Sequence, residues 1–279
     1  MIKIGDYNTL EVLRSTSVGI FLGDEEGTEI LLPNKYVPEN IEQGQMLTVF
    51  CYLDHMERPI ATTLNPYIKR GDFSLLEVVE INNIGAFADW GLEKQLLIPY
   101  REQQTKVEEG KKYIVHCFMD EKSFRLVGST KIDRFLVNAE MDLEVGQEVA
   151  ILVYKKTELG WSVAINDKHQ GLIFANEVFK QIAIGDRLTG YIKQIREDQK
   201  VDVSLQPTGV QLLDAAADTI LSKLKQGHGF LPLHDKSSPD EIKRELELSK
   251  KAFKKGVGIL YKKRLIVLEE DGIRLLAED

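Results

Sequence analysis

Three short runs decide the fold class: Leu75-Leu76-Glu77-Val78-Val79-Glu80-Ile81, then Gly85-Ala86-Phe87-Ala88-Asp89-Trp90, then Gln95-Leu96-Leu97-Ile98-Pro99. Each is rich in residues that suit a pleated, half-buried surface, and a glycine or polar turn separates it from the next. Lys112-Tyr113-Ile114-Val115-His116-Cys117-Phe118 and Ser123-Phe124-Arg125-Leu126-Val127-Gly128-Ser129 follow. Four or five short strands within roughly 60 residues leave no room for crossover helices, so a small barrel is expected and a parallel sheet is not.

The same pattern occurs three times. Gly19, Gly85 and Gly160 are each followed 25 residues later by Gly44, Gly110 and Gly185. Fourteen residues after the first glycine stand Pro33, Pro99 and Phe174. Thr62, Gly128 and Val203 share a later position, each with a hydroxyl residue behind it: Thr63, Ser129 and Ser204. No gap is needed, so the chain carries an internal triplication. Period-two alternation in the fourth strand assigns Leu47/Val49/Cys51, Tyr113/Val115/Cys117 and Leu188/Gly190/Ile192 to the barrel interior. Phe50/Tyr52, His116/Phe118 and Tyr191/Lys193 then point outward. The two cysteines fall on one repeat position and read as core side chains, which leaves neither a disulfide framework nor a cysteine metal site.

After Pro207 the period changes. Val210, Leu212, Leu213, Ala216, Ile220, Leu221 and Leu224 recur at helical spacing. Gly227 and Gly229 end that helix, and Phe230-Leu231-Pro232-Leu233 is extended. Ser238-Pro239-Asp240-Glu241 starts a second helix, with serine as cap, proline first inside and glutamate three after the cap. Ser249 starts a third, whose buried stripe is Ala252, Phe253, Val257, Leu260 and Tyr261. Leu265 to Leu268, the turn Glu269-Glu270-Asp271-Gly272, and Ile273 to Leu276 read as strand, turn and strand. Helix, short strand, two helices and a hairpin is the order of a winged-helix domain.

Charge is unevenly spread. The chain has 279 residues and a formal net charge of −8. Residues 1–146 hold 15 basic against 24 acidic residues, 147–207 hold 8 of each, and 208–279 hold 13 against 12. Lys243 to Arg264 contains nine basic residues and only Glu245 and Glu247 as acids. A polyanion would therefore meet the C-terminal half first. The N-terminal sequence has no secretory pattern and no apolar run approaches the ~20 residues of a membrane span, so a cytoplasmic address without membrane association is expected. Phosphate-loop, His-Glu-x-x-His and Gly-x-Ser-x-Gly motifs are absent, and the five histidines are scattered. No enzyme activity, metal or cofactor is expected.

The glycine turn with its following Phe, the Leu-Leu-Ile-Pro strand, the Gly-Asp or Gly-Gln step and the closing Val-x-Val-Ser resemble the S1 RNA-binding domain, a five-stranded barrel of OB type. Three such units followed by a winged helix resemble the conserved virulence factor B (CvfB) family over essentially the whole chain. The strings His169-Gln170-Gly171-Leu172-Ile173-Phe174-Ala175-Asn176-Glu177-Val178-Phe179 and Ser249-Lys250-Lys251-Ala252-Phe253-Lys254 carry that likeness. The expected class is thus mainly β with a C-terminal α+β domain: S1-like barrels over 1–68, 69–134 and 146–207, then a winged helix over 208–279. The resemblance implies an RNA-binding regulatory protein.

Barrels of this type stack bases of a single strand on outward aromatics while basic side chains follow the phosphates. The aromatic two residues after the turn glycine is Phe21, Phe87 and, in the third repeat, Ser162. The third repeat offers Phe174, Tyr191, Lys193, Arg196 and Lys200; Trp161 there replaces inward-facing Ile20 and Ala86 and reads equally as a core residue. Arg125 is the basic residue near the last strand of the second repeat. In the third helix Lys250/Lys254 and Lys251/Lys255 form i,i+4 pairs opposite Phe253 and Val257. Single-stranded RNA is the expected partner. Two alternatives stay open: a DNA-binding winged-helix regulator, and an adaptor whose acidic first two barrels dock on a protein.

Overall fold

The computed structural model describes residues 1–207 and 209–276, with the backbone alone for 209–214. The chain divides into two compact units, Met1–Phe135 and Leu136–Asp279. In the first unit, β1 (Asp6–Thr16), β2 (Gly19–Gly23), β3 (Glu29–Pro33), β4 (Met46–Leu53) and β5 (Pro59–Thr62) close in the order β1-β2-β3-β5-β4. All these neighbours are antiparallel except β3 and β5. The second barrel uses β6 (Phe73–Ile81), β7 (Gly85–Asp89), β8 (Leu96–Pro99), β9 (Lys112–Met119) and β10 (Leu126–Ser129), ordered β10-β9-β6-β7-β8. Its two ends meet by packing: a Cβ at Gly128 would lie 3.0 Å from Ile98 and 3.4 Å from Leu96.

The repeat glycines have a steric reason. Gly19, Gly85 and Gly160 sit directly opposite Pro33, Pro99 and Phe174 in the β-ladder, which explains the fourteen-residue offset. A Cβ at Gly85 would stand 2.5 Å from the Ile98 carbonyl oxygen, and those at Gly19 and Gly160 would come closer still to Leu32 and Ile173. Backbone crosses backbone here, so only glycine fits. The repeat hydroxyl then fastens the last strand. Thr63 Oγ1 donates to the Tyr36 carbonyl at 2.8 Å, and Ser129 Oγ to the Glu102 carbonyl at 3.1 Å. In the third repeat Ser204 Oγ instead accepts the Gln206 N–H at 3.1 Å.

Cys51 and Cys117 lie in the barrel interiors, and burial pushes each thiol up to about 12. Of the outward side chains, Phe50 and Tyr52 correct a simple expectation. They leave the barrel interior yet are fully buried, because Trp90 of the second barrel packs edge-on against both rings at 5.9 and 6.2 Å. Lys94 adds a hydrogen bond to the Asp54 carbonyl at 2.8 Å and an ion pair with Glu57 at 3.1 Å. His116 is likewise buried, its ring between Phe73 at 4.5 Å and Phe135 at 4.0 Å.

The second unit begins with β11 (Glu148–Lys156), β12 (Gly160–Ile165), β13 (His169–Phe174), β14 (Arg187–Ile195) and β15 (Val201–Ser204), closed in the same order as the first barrel. Next come α1 (Gly209–Gln226), β16 (Phe230–Leu231), α2 (Pro239–Leu246), α3 (Lys250–Lys262), β17 (Ile266–Leu268) and β18 (Ile273–Leu275). The strands form a sheet ordered β16-β18-β17. This is the winged-helix order read from the sequence. Ser238 Oγ accepts the Glu241 N–H, and the Glu241 carboxylate accepts the Ser238 N–H at 2.7 Å, which holds that carboxyl below its usual range. Ser249 caps α3 through the Ala252 N–H at 3.1 Å. Ala216, Ile220 and Leu224 of α1 are buried against Ala252, Phe253 and Leu260, whereas Val210, Leu212 and Leu213 lie outside the described side chains. A Cβ on Gly256 would meet Ile220 at 2.9 Å and the α1 backbone at 3.0 Å, so that glycine sets how closely α1 and α3 approach. Because Gly85 has no room for any side chain, Gly85→Ala should lose on the order of 3 kcal/mol of stability or more, read as a lower urea midpoint.

Candidate nucleic-acid interface

On the third barrel, β13 is alternately inside and outside: Gly171 and Ile173 are buried, while Gln170, Leu172 and Phe174 share the outer face. They form one wall of a groove of about 550 Å³, whose other residues include Leu159, Ser162, Arg196, Lys200 and Asp202. The Arg196 guanidinium lies over the half-buried Phe174 ring, 5.6 Å from its centre. Asp202, nearly buried, accepts two hydrogen bonds from it at 3.1 and 2.7 Å and raises its pKa. Removing the arginine would leave a buried carboxylate without its cation, so the pair fixes the guanidinium in place. Lys200 extends from the rim and pairs with Asp198 at 2.7 Å. Leu159, 65% exposed, and Leu172 complete an apolar wall. The groove thus brings together a half-buried aromatic ring, the guanidinium that lies over it, and an apolar wall.

Three of the five predicted third-repeat residues thus come together. Tyr191 and Lys193 do not line this groove. Tyr191 faces Glu148 across the β11–β14 ladder and donates to its carboxylate at 3.2 Å; burial and that carboxylate raise the phenol pKa. Lys193 is ion-paired with Glu177, in the single turn after β13. Trp161 packs half-buried against the barrel core with Lys156 5.3 Å over its ring. In the first unit Phe21 is covered by the Arg14 guanidinium at 4.3 Å, itself held by both Glu29 oxygens at 2.7 and 2.6 Å. Phe87 is half-buried on β7. Arg125 reaches Glu57 of the first barrel at 3.3 Å, so its charge serves contact between barrels.

Sequence reasoning missed Gln170, Leu172, Asp202 and Asn138. Alternation back from Phe174 was signal enough for the first two. Asn138 precedes the barrel and has no motif; its side chain donates to the Gln170 and Gln199 carbonyls at 2.9 and 3.0 Å and accepts the Gln170 N–H at 2.8 Å.

The winged helix presents a different surface. Ala252, Phe253, Gly256 and Leu260 of α3 are buried, and Lys251, Lys254, Lys255 and Lys262 are exposed, with Lys250 half-exposed at the first position. Among the described residues, none of these lysines, nor Lys263 or Arg264, has a carboxylate partner. On the barrels Arg14, Lys35, Arg58, Arg101, Arg134, Lys193, Arg196 and Lys200 are ion-paired, whereas Lys112, Lys122, Lys156, Lys168 and Lys180 have no carboxylate partner among the described residues and are spread over several strands and loops. Like charges at i,i+4 repel by a few tenths of a kcal/mol each, so this face is held against its own electrostatics. No helix among the described residues is long and apolar enough to cross a membrane.

Family models match at both ends of the chain: an S1 domain over residues 4–64 and a CvfB-like winged helix domain over 218–275. An uncharacterized protein of Bacillus subtilis, YitL, is 31% identical across 92% of this chain and 89% of its own. The chain belongs to the CvfB-like family. Conserved virulence factor B of Staphylococcus epidermidis is 26% identical across 98% of this chain and 94% of that protein. A solved multidomain protein with nucleic acid binding domains from Streptococcus pneumoniae is 24% identical and aligns over 98% of both chains with a TM-score of 0.42. The matched domains are of nucleic-acid-binding type. Asn138→Ala removes three hydrogen bonds that hold the edge of the groove and should cost about 1–3 kcal/mol in a denaturant melt.

Proposed function

We propose that this protein is a cytoplasmic RNA-binding regulator of gene expression, which holds single-stranded RNA through the third barrel and the lysine face of α3. The observation that carries the reading is the clustering of unpaired cations on one helix face. In a chain of net charge −8, Lys251, Lys254, Lys255 and Lys262 of α3 are all exposed, without a carboxylate partner among the described residues. Unpaired lysines on one helix face attract phosphates and release counterions when they bind. In the groove, Phe174 supplies the stacking surface, Arg196 borders it, and Lys200 reaches toward the backbone. Tyr191 and Lys193 lie round the barrel and would meet a strand only as it leaves. Phe21, Phe87 and Arg125 are secondary contacts, since Arg14 covers the first ring and Glu57 engages the arginine. The first two barrels, where residues 1–146 carry 24 acids against 15 bases, also offer an acidic surface suited to a protein partner.

A duplex-DNA reading draws on the winged-helix match. Against it, the exposed α3 positions are lysines, Gly258 and Tyr261, and lysine on its own mainly positions a backbone. The Arg, Asn or Gln that reads base edges is missing from that face.

The test is binding of the full chain to a labelled 12-nucleotide oligouridylate and to duplex DNA of equal length, titrated from 50 to 200 mM salt. The combined Lys250→Ala and Lys254→Ala change should reduce the slope of log affinity against log salt by about 1.4, at ~0.7 per phosphate contact on a single strand. An unaltered slope refutes the α3 assignment. Phe174→Ala should weaken RNA binding by about 1–3 kcal/mol with little change in melting temperature. Equal affinity in the folded variant removes the groove from the site.

A further inference from the structure

The third helix contains two glycines with opposite surroundings. Gly256 is explained by the α1 backbone pressed against it. Gly258 is exposed, lies inside α3, and has nothing within 4 Å of where a Cβ would be. Its φ is not in the left-handed region and it caps nothing, so an alanine would fit and would favour the helix. Nothing within the described protein uses the missing side chain.

The neighbours show what does. On a helix the residues surrounding position i on the surface are i−4, i−3, i+3 and i+4. For Gly258 these are Lys254, Lys255, Tyr261 and Lys262, and all four are exposed. Tyr261 is 56% exposed, although its spacing in the sequence had suggested the buried stripe. The helix surface at this point lacks a side chain, and its helical neighbours are three exposed lysines and one exposed aromatic residue.

We infer that this patch is a seat for one nucleotide of a single-stranded chain. The phosphodiester lies over Gly258, within reach of Lys254, Lys255 and Lys262, and the unpaired base stacks on Tyr261. The absent Cβ allows the sugar-phosphate to come into contact with the helix backbone, which any larger residue would hold off. A base inside a duplex has its faces covered by its neighbours, so the tyrosine is useful only toward an unstacked one. This inference rests on the reading of α3 as a phosphate-binding face and adds to it the class of ligand and the position of closest approach.

The experiment uses the full chain with the labelled 12-nucleotide oligouridylate and, in parallel, duplex DNA of equal length. Gly258→Ala should melt at a higher temperature than the unaltered chain and bind the oligoribonucleotide at least fivefold more weakly. Tyr261→Ala should lose about 5–150-fold on the oligoribonucleotide, and Tyr261→Phe should restore most of it. Duplex affinity should change little with either tyrosine variant. Normal oligoribonucleotide binding by Gly258→Ala overturns the seat, as does an equal loss on duplex from Tyr261→Ala. If Lys254→Ala with Lys255→Ala weakens binding while Gly258→Ala and Tyr261→Ala do not, the seat alone is wrong. If the lysine variant also binds as before, the phosphate-binding reading of α3 has failed.

Discussion

Each barrel depends on one close approach of backbone to backbone. At Gly19, Gly85 and Gly160 the second strand of the barrel starts across the carbonyl that ends the third, where no Cβ fits. That crossing sets which residue lies opposite the glycine and where the chain turns after the third strand. In the first two barrels the opposite residue is proline, whose ring fixes the backbone and offers little to a ligand. In the third it is Phe174, and the same geometry delivers an aromatic ring to the rim of an open groove. At this position of a shared scaffold, the three repeats thus differ in whether a proline or an aromatic ring faces the glycine.

Charge follows the same division. Exposed ion pairs of the kind seen on the barrels contribute about 0–1 kcal/mol to stability, so their importance lies elsewhere. Where a barrel cation is paired in this way, its attraction for phosphate is reduced. The α3 face accepts the converse condition, and its cost is offset by the packing of Phe253, Leu260 and Ala252 on α1. The buried core and the exposed lysines therefore occupy opposite sides of one short helix.

The first two barrels are joined rather than merely consecutive. Trp90 packs edge-on against two outward rings of the first barrel, and Lys94 and Arg125 both reach Glu57. Aromatic surface that a stacking protein would expose is here consumed by contact within the protein. Residues 1–146, which include both of these barrels, hold 24 acidic residues against 15 basic ones.

Much of this was determined by sequence alone. The offsets among Gly19, Gly85 and Gly160 revealed three barrels, the paired cysteine positions marked the core, and the Ser238 and Ser249 caps placed the last two helices, because turns, alternation and caps are local properties of the chain. Lys250 to Lys255 were visible as an exposed face for the same reason. Tertiary structure alone decided what covers each outward face. Phe50 and Tyr52 alternate as solvent residues should, yet another barrel buries them; Tyr261 follows the buried spacing, yet remains in solvent. Arg196 finds Asp202, Arg125 finds Glu57, and Gly258 finds nothing. Periodicity names the side of an element on which a residue lies, and only the packing of distant segments determines what, if anything, lies against it.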